Sequence, residues 1–305
     1  MNPVHSLLYL LALSAASAPS GVPQETILPD TVVIRSGTLQ LHGVRWRPAG
    51  KGPFPAVLIN HGGYRTAEPL GSDDPSILGP LFAKHGYASL VLFRRGVGPS
   101  VGSGPADGEL LAQALASHGQ AARNRVQLEL LEGEALNEVV AGLAYLRSLS
   151  YVDGTRVAVL GHSFGGSLSI FLAAHDSTIP AVVLFGAAAA SWGPSPELQQ
   201  RLRSAVRRAK AAMLFIHAAN DYSVTPGTAL AAELHRVGSS RQLKIYPAFG
   251  TTTREGHNLV FRSPNTWEAE VFAFLDAKVK TMIPQPRHNP HLQQTGAGAA
   301  ARSRS

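Results

Sequence analysis

Short apolar runs alternate with longer stretches of helical periodicity along most of this chain. Thr31 to Arg35 and Thr38 to Trp46 predict an antiparallel pair of strands around the turn Ser36-Gly37. "FPAVLINHGG" (Phe54 to Gly63) is an apolar run ending in glycines, the pattern of a strand buried on both faces. "YASLVLF" (Tyr87 to Phe93), Arg156 to Leu160, "AVVLFGA" (Ala181 to Ala187), "AAMLFIHA" (Ala211 to Ala218) and "RQLKIYPA" (Arg241 to Ala248) repeat that pattern. Between them, Ile77 to His85 predicts a helix ended by Gly86. Gln127 to Ser148 places Leu128, Leu131, Ala135, Val139, Leu143 and Leu146 on one helical face. Further helices are expected from about Gly165, over Pro226 to Arg236, and over Pro264 to Lys280. The last two have proline near their start, where a missing N–H is harmless. Strands alternating with helices imply right-handed crossovers and a mostly parallel sheet.

One strand ends unusually. "VAVLGHSFGG" (Val157 to Gly166) passes from an apolar run to a serine boxed by glycines. A serine nucleophile must stand free of its strand with backbone N–H groups nearby, and a sharp strand-to-helix turn does this. Such a turn needs small residues two before and two after the serine, here Gly161 and Gly165. This G-x-S-x-G arrangement is the nucleophile elbow of the α/β-hydrolases, and it makes Ser163 the candidate nucleophile. The order serine, acid, histidine then selects partners. Asp221 in "FIHAANDYSVTP" is the one acid between Ser163 and His257 that lies just past the end of a predicted strand. His257 in "TREGHNLVF" follows the last strand, on an expected loop, and His217 is expected to pack beneath the site. In this reading His257 takes the serine proton and Asp221 orients the imidazole. The oxyanion donors are the N–H of Phe164 and one from "HGGYR", with Gly63 and Tyr64 as candidates.

Composition narrows the class. The 305 residues suit one large α/β domain, and 45% apolar content supplies a core. The net charge of +7 includes Arg287, Arg302 and Arg304 at the C-terminal end, and no Lys/Arg block with interleaved aromatics suggests nucleic-acid binding. There is no cysteine, which excludes disulfides, thiolate metal sites and a cysteine nucleophile. At the front, Leu7 to Leu13 followed by small residues reads as a signal peptide over residues 1–18, cut near Ala16 or Ala18, which implies export to the periplasm or beyond. That run is too short for a stable membrane span. One domain is expected over residues 25–283, followed by a disordered tail over 284–305.

The segments "LINHGG", "YASLVLFRRGVGPS", "LAYLRSLSYVDGTRVAVLGHSFGGSLS", "ANDYSVTP" and "IYPAFGTTTREGHNLVF" together resemble the dienelactone hydrolase branch of the α/β-hydrolases. They are also similar to the catalytic domain of prolyl oligopeptidase-type serine peptidases. The resemblance spans roughly residues 31 to 280. It implies an α/β-hydrolase fold with an eight-stranded sheet, helices on both faces and a small cap segment. It also implies a site at the strand C-terminal edge and hydrolysis without metal or cofactor. Dienelactone hydrolases proper use cysteine where this chain has Ser163, so a general carboxylesterase acting on a small-molecule ester is expected. A serine peptidase or amidase shares the same triad, and a non-catalytic binding scaffold is the third reading. The segment before Phe54 is too short for the propeller domain that gates the oligopeptidases.

Four other side chains are candidates for the pocket: His162 beside the nucleophile, Arg95 in "FRRGVGPSVGSG", and Trp192 and Tyr222 on loops. Ser195 to Lys210 predicts an amphipathic helix where such folds place a cap, and its arginines are candidates for attracting anionic acyl groups.

Overall fold

Burial on both faces explains why the apolar runs become the inner strands of one sheet. In the computed structural model, which describes residues 29–281 apart from 237, 239 and 240, eight strands lie in the order β1-β2-β4-β3-β5-β6-β7-β8. They are β1 (Asp30–Ser36), β2 (Leu39–Trp46), β3 (Phe54–Asn60), β4 (Ala88–Phe93), β5 (Val152–His162), β6 (Ala181–Phe185), β7 (Ala212–Ala218) and β8 (Arg241–Tyr246). The β1–β2 hairpin is antiparallel, β2 runs antiparallel to β4, and every later pairing is parallel. Parallel neighbours need crossovers, and the crossovers put helices on both faces.

Alternate strand residues serve the two faces. Leu58, Val159, Leu184 and Phe215 meet α3 (Glu134–Ser148), α4 (Ser163–His175), α5 (Pro196–Arg208) and α6 (Thr225–Arg236). Ile59, Leu160, Val183 and Leu214 meet α1 (Leu78–Lys84) and α9 (Pro264–Leu275), with Phe82 and Trp267 wholly buried between. The expected mostly parallel, eight-stranded α/β-hydrolase architecture is present.

Three local expectations change. The helix expected from Gln127 to Ser148 is two helices: α2 (Asp107–Glu132) and α3, parted at Gly133. α2 begins far earlier than its apolar pattern suggests, and it bends sharply at Gly119, whose φ of +75° suits glycine alone. His257 does not sit on a loop but ends a short helix, α7 (Thr253–His257), followed by α8 (Leu259–Arg262). Thr252 and Glu255 form a reciprocal capping box there, a T-x-x-E signal present in the sequence. Finally, α5 is not a cap. Leu198, Leu202, Ala205 and Val206 are buried where it packs between α4 and α6. Its Arg207 and Arg203 bond Glu233 of α6 at 2.7 and 3.3 Å. Those bonds hold the Glu233 carboxyl below its ordinary range, the Arg207 hydrogen bond contributing most. Arg203 and Arg207 tie helix to helix, and neither borders the cleft. The element that does reach over the cleft is α2.

No described helix is long and apolar enough to cross a membrane. The expected signal peptide (1–18) and tail (284–305) lie outside the described residues.

Candidate active site

β5 delivers Ser163 to the C-terminal edge of the sheet, and α4 begins at that residue. Ser163 has φ +55°, a left-handed conformation that costs a non-glycine residue about 1–3 kcal/mol and persists only when its surroundings enforce it. The surroundings are backbone. A Cβ on Gly165 would lie 2.2 Å from the carbonyl oxygen of His61, and one on Gly161 would lie 2.4 Å from that of Gly165. No side chain fits at either position, so the turn is held tight by direct backbone contact.

Asp221 follows β7 in a turn closed by its N–H to the carbonyl of Ala218 at 3.0 Å. Its carboxylate lies between two imidazoles: Oδ1 is 2.6 Å from Nδ1 of His257, and Oδ2 is 2.8 Å from Nδ1 of His217. An ionised carboxylate only accepts, so each imidazole donates from Nδ1. That leaves Nε2 of His257 as the acceptor, while Nε2 of His217 is buried without a partner. The N–H of Tyr222 adds a third bond to Oδ1 at 2.7 Å. Burial alone would raise the Asp221 carboxyl. The bonds from His217 and His257 outweigh it and hold the group well below the usual carboxylate range.

Two further residues fix this pair, and sequence reasoning missed both. Asn220 donates to the carbonyls of Phe249 and Thr252 at 2.9 and 3.0 Å and accepts from Phe249 N–H at 2.9 Å, clamping the approach to α7 against the β7 turn. Gly186, after β6, leaves room for the histidine: a Cβ there would lie 2.9 Å from Cε1 of His257. The side chain of His162 packs 4.7 Å from the His257 ring and donates from Nε2 to the His257 carbonyl at 3.0 Å. Burial, then the neighbouring His257, pushes His162 down to about 3, so it is neutral near pH 7.

The "HGGYR" segment lies beside the serine. Arg94, wholly buried, donates to the carbonyls of His61 and Gly62 at 3.0 and 2.9 Å and pairs with Asp107 at 2.7 Å. The loop's carbonyls are therefore drawn towards Arg94. Gly63 and Tyr64 line the cleft at Ser163, and the Tyr64 hydroxyl is pinned to the Asp73 carbonyl at 2.6 Å. Phe164 stands in the first turn of α4, where N–H groups have no intrahelical acceptor. The cleft has two lobes meeting at Gly63, Ser163 and Ala190. One, of about 290 Å³, is bounded by His257, Tyr222, Glu68, Arg254 and Asn258. The other, of about 280 Å³, is bounded by Phe164, Leu111, Ala112, Leu115 and Gln127.

The sequence model of the dienelactone hydrolase family matches residues 42–275, most of the chain. The protein belongs to the dienelactone hydrolase family. Solved structures agree on the fold. A dienelactone hydrolase from Anabaena variabilis superposes with a TM-score of 0.54 at 18% identity, covering 83% of this chain and 96% of its own. An acylaminoacyl peptidase from Pyrococcus horikoshii gives 0.61 at 17% identity, covering 86% of this chain but 43% of its own. An esterase from Pyrococcus furiosus gives 0.59 at 15% identity, covering 83% and 94%.

Within this dienelactone hydrolase family member, the expected site residues separate into two groups. Ser163, His257, Gly63, Tyr64, His162 and Tyr222 all border the cleft, with Asp221 behind His257 and Phe164 in the second lobe. Arg95 and Trp192 do not border it. Arg95 is buried against α3, bonded to Glu138 at 2.5 Å and Glu134 at 2.7 Å. A guanidinium inside the fold needs carboxylates there, and these two occupy it. Trp192 is buried in the core, with the Arg203 guanidinium 5.5 Å from its ring centre. Its place on a loop made it a pocket candidate, but the segment after β6 turns it inward and presents Ala188, Ala190 and Ser191 instead. Asp73 was also missed. It is a buried acid that accepts from Arg262 and Asn258, each at 2.9 Å, and so braces the segment after His257. Among the described residues, no group of three or more His, Cys, Asp or Glu side chains is arranged to hold a metal ion.

Proposed function

We propose that this hydrolase cleaves small carboxylic esters through an acyl-enzyme, with Ser163 as nucleophile, His257 as general base and acid, and Asp221 as the group that orients it. The observation carrying this reading is the 2.6 Å bond from Asp221 to His257 in a cleft whose floor is a serine held left-handed at a strand–helix turn. That bond leaves the Nε2 lone pair of His257 free to take a proton. As Ser163 Oγ attacks the acyl carbon, His257 takes its proton and gives it to the departing alcohol. The oxyanion forms against the N–H of Phe164 and that of Tyr64 or Gly63, while the dipole of α4 favours negative charge at its start. Water then enters and attacks the acyl carbon as His257 takes its proton, and His257 returns that proton to Ser163 Oγ as the acyl–serine bond breaks and the acid leaves.

The test is hydrolysis of p-nitrophenyl acetate by the wild type beside Ser163→Ala. The expected result is a loss of about a thousandfold or more in kcat/KM, together with fluorophosphonate labelling of the wild type alone. Equal activity in the two proteins would reject Ser163. Faster turnover of a matched anilide than of the ester would favour an amidase, and failure of both turnover and labelling would favour a binding scaffold.

A further inference from the structure

The cleft is divided at the serine, and its two lobes differ in chemistry. We propose that the lobe under α2 holds an apolar acyl chain while the His257 lobe holds a polar, hydroxyl-bearing leaving alcohol, which makes the substrates short-chain esters of polyols. This assignment rests on the serine-hydrolase reading above.

The direction comes from proton transfer. In the tetrahedral intermediate, the acyl carbon carries Ser163 Oγ, the oxyanion, the leaving oxygen and the acyl substituent. The leaving oxygen must receive its proton from His257 for the carbon–oxygen bond to break, so it lies on the imidazole side. His257 borders only the first lobe. That lobe must also empty first, because the attacking water is activated by the same nitrogen. The oxyanion takes the Gly63 corner where the lobes join, which leaves the second lobe for the acyl chain.

The linings fit this division. Leu111, Ala112, Leu115 and Phe164 give the acyl lobe an apolar wall. Its polar residues are linked to one another: Arg123 donates to Gln127 at 3.1 Å, and Gln127 donates to Ser191 at 3.0 Å. An alkyl chain buries area against that apolar wall. The His257 lobe presents the Glu68 carboxylate, the exposed Arg254 guanidinium and the Tyr222 edge. Glu68 accepts from the Arg65 N–H at 2.9 Å and keeps further acceptor capacity. A bare alkyl leaving group would desolvate these groups without pairing them, while a polyol offers donors and acceptors in exchange.

Two isomeric esters test the assignment, since each places the same atoms in opposite lobes. Glyceryl monohexanoate has the apolar acyl chain and the polyol alcohol, and hexyl glycerate reverses them. With each rate divided by that ester's hydroxide-catalysed rate, glyceryl monohexanoate is expected to have the higher kcat/KM by about tenfold or more. Equal rates, a preference for hexyl glycerate, or inertness of both while p-nitrophenyl acetate is turned over would overturn the proposal. Failure of the hydrolase reading is distinguishable, because Ser163→Ala would then retain p-nitrophenyl acetate turnover. Leu115→Trp provides a second measure, at a side chain exposed enough to vary without unfolding the protein. It should lower kcat/KM for glyceryl monohexanoate about tenfold more than for glyceryl monoacetate, and slow release of the hexanoyl group as well. An equal loss on both esters would place the acyl chain elsewhere.

Discussion

The serine half of the site and its histidine–aspartate half are built by different means. Ser163 is held by one stretch of chain, β5 turning into α4, with glycine backbone pressed on backbone. His257 and Asp221 come from segments 36 residues apart and meet through hydrogen bonds involving His217, Asn220 and Asp73. Steric contact tolerates no added atom but needs no charge. A hydrogen-bonded carboxylate tolerates changes of shape but depends on every donor and on protonation. The first half should therefore fail by misfolding, and the second by losing activity in graded steps.

Exchanging one atom in the second half gives the largest expected effect. Asp221→Asn keeps the shape but presents an amide that can donate, favouring the wrong tautomer of His257. We expect kcat to fall about 10⁴-fold with Tm little changed, and steady-state kinetics with calorimetry would check both. In the first half, Gly165→Ala places a methyl within van der Waals overlap of the His61 carbonyl. A loss of about 3 kcal/mol or failure to accumulate as soluble protein is expected, measured by denaturant unfolding; an unchanged midpoint would mean the turn relaxes more freely than these contacts allow. His217→Phe removes one of the two imidazole bonds to Asp221. A fall in kcat of about tenfold is expected, with His217→Gln, which keeps a donor, recovering part of it; identical loss in both variants would make the role of His217 one of packing alone.

The last expected effect is a slope with pH. His162 is held neutral in the fold, down at about 3, against an ordinary value of 6.5. Between those values the unfolded chain takes up a proton that the folded one refuses, so stability falls as pH falls through that window. Buried His61 is likewise shifted well down, by burial first and then by the Arg94 charge, and acts in the same direction. His162→Gln should remove one of these protons and flatten the dependence of unfolding free energy by about 1.4 kcal/mol per pH unit. Chemical unfolding at several pH values from neutral to acid would measure it, and an unaltered slope would show that His162 accepts a proton without leaving the fold.

The sequence by itself determined whatever depended on neighbours along the chain. Apolar runs such as 54–60 and 181–187, short and set off by glycine, carry the pattern of strands buried on both faces, and the structure forms β3 and β6 there. The glycines around Ser163 marked the elbow because the close approach they permit is local. Chain order then singled out Asp221 and His257. The capping box at Thr252 and Glu255 was equally local and could have placed His257 on a helical turn. Tertiary structure decided what depended on distant partners. The loop positions of Arg95 and Trp192 suggest pocket residues, but Glu138 holds the first and the core encloses the second. The arginines of α5 suggest a surface for anionic acyl groups, but Arg203 and Arg207 meet Glu233 of α6 instead. α2 gave no clear signal because its first arm, before Gly119, buries only Asp107 and Leu111 and so carries no apolar period. Local geometry is written in adjacent residues, but the partner of a charge and the wall of a cleft come from segments that only folding brings together.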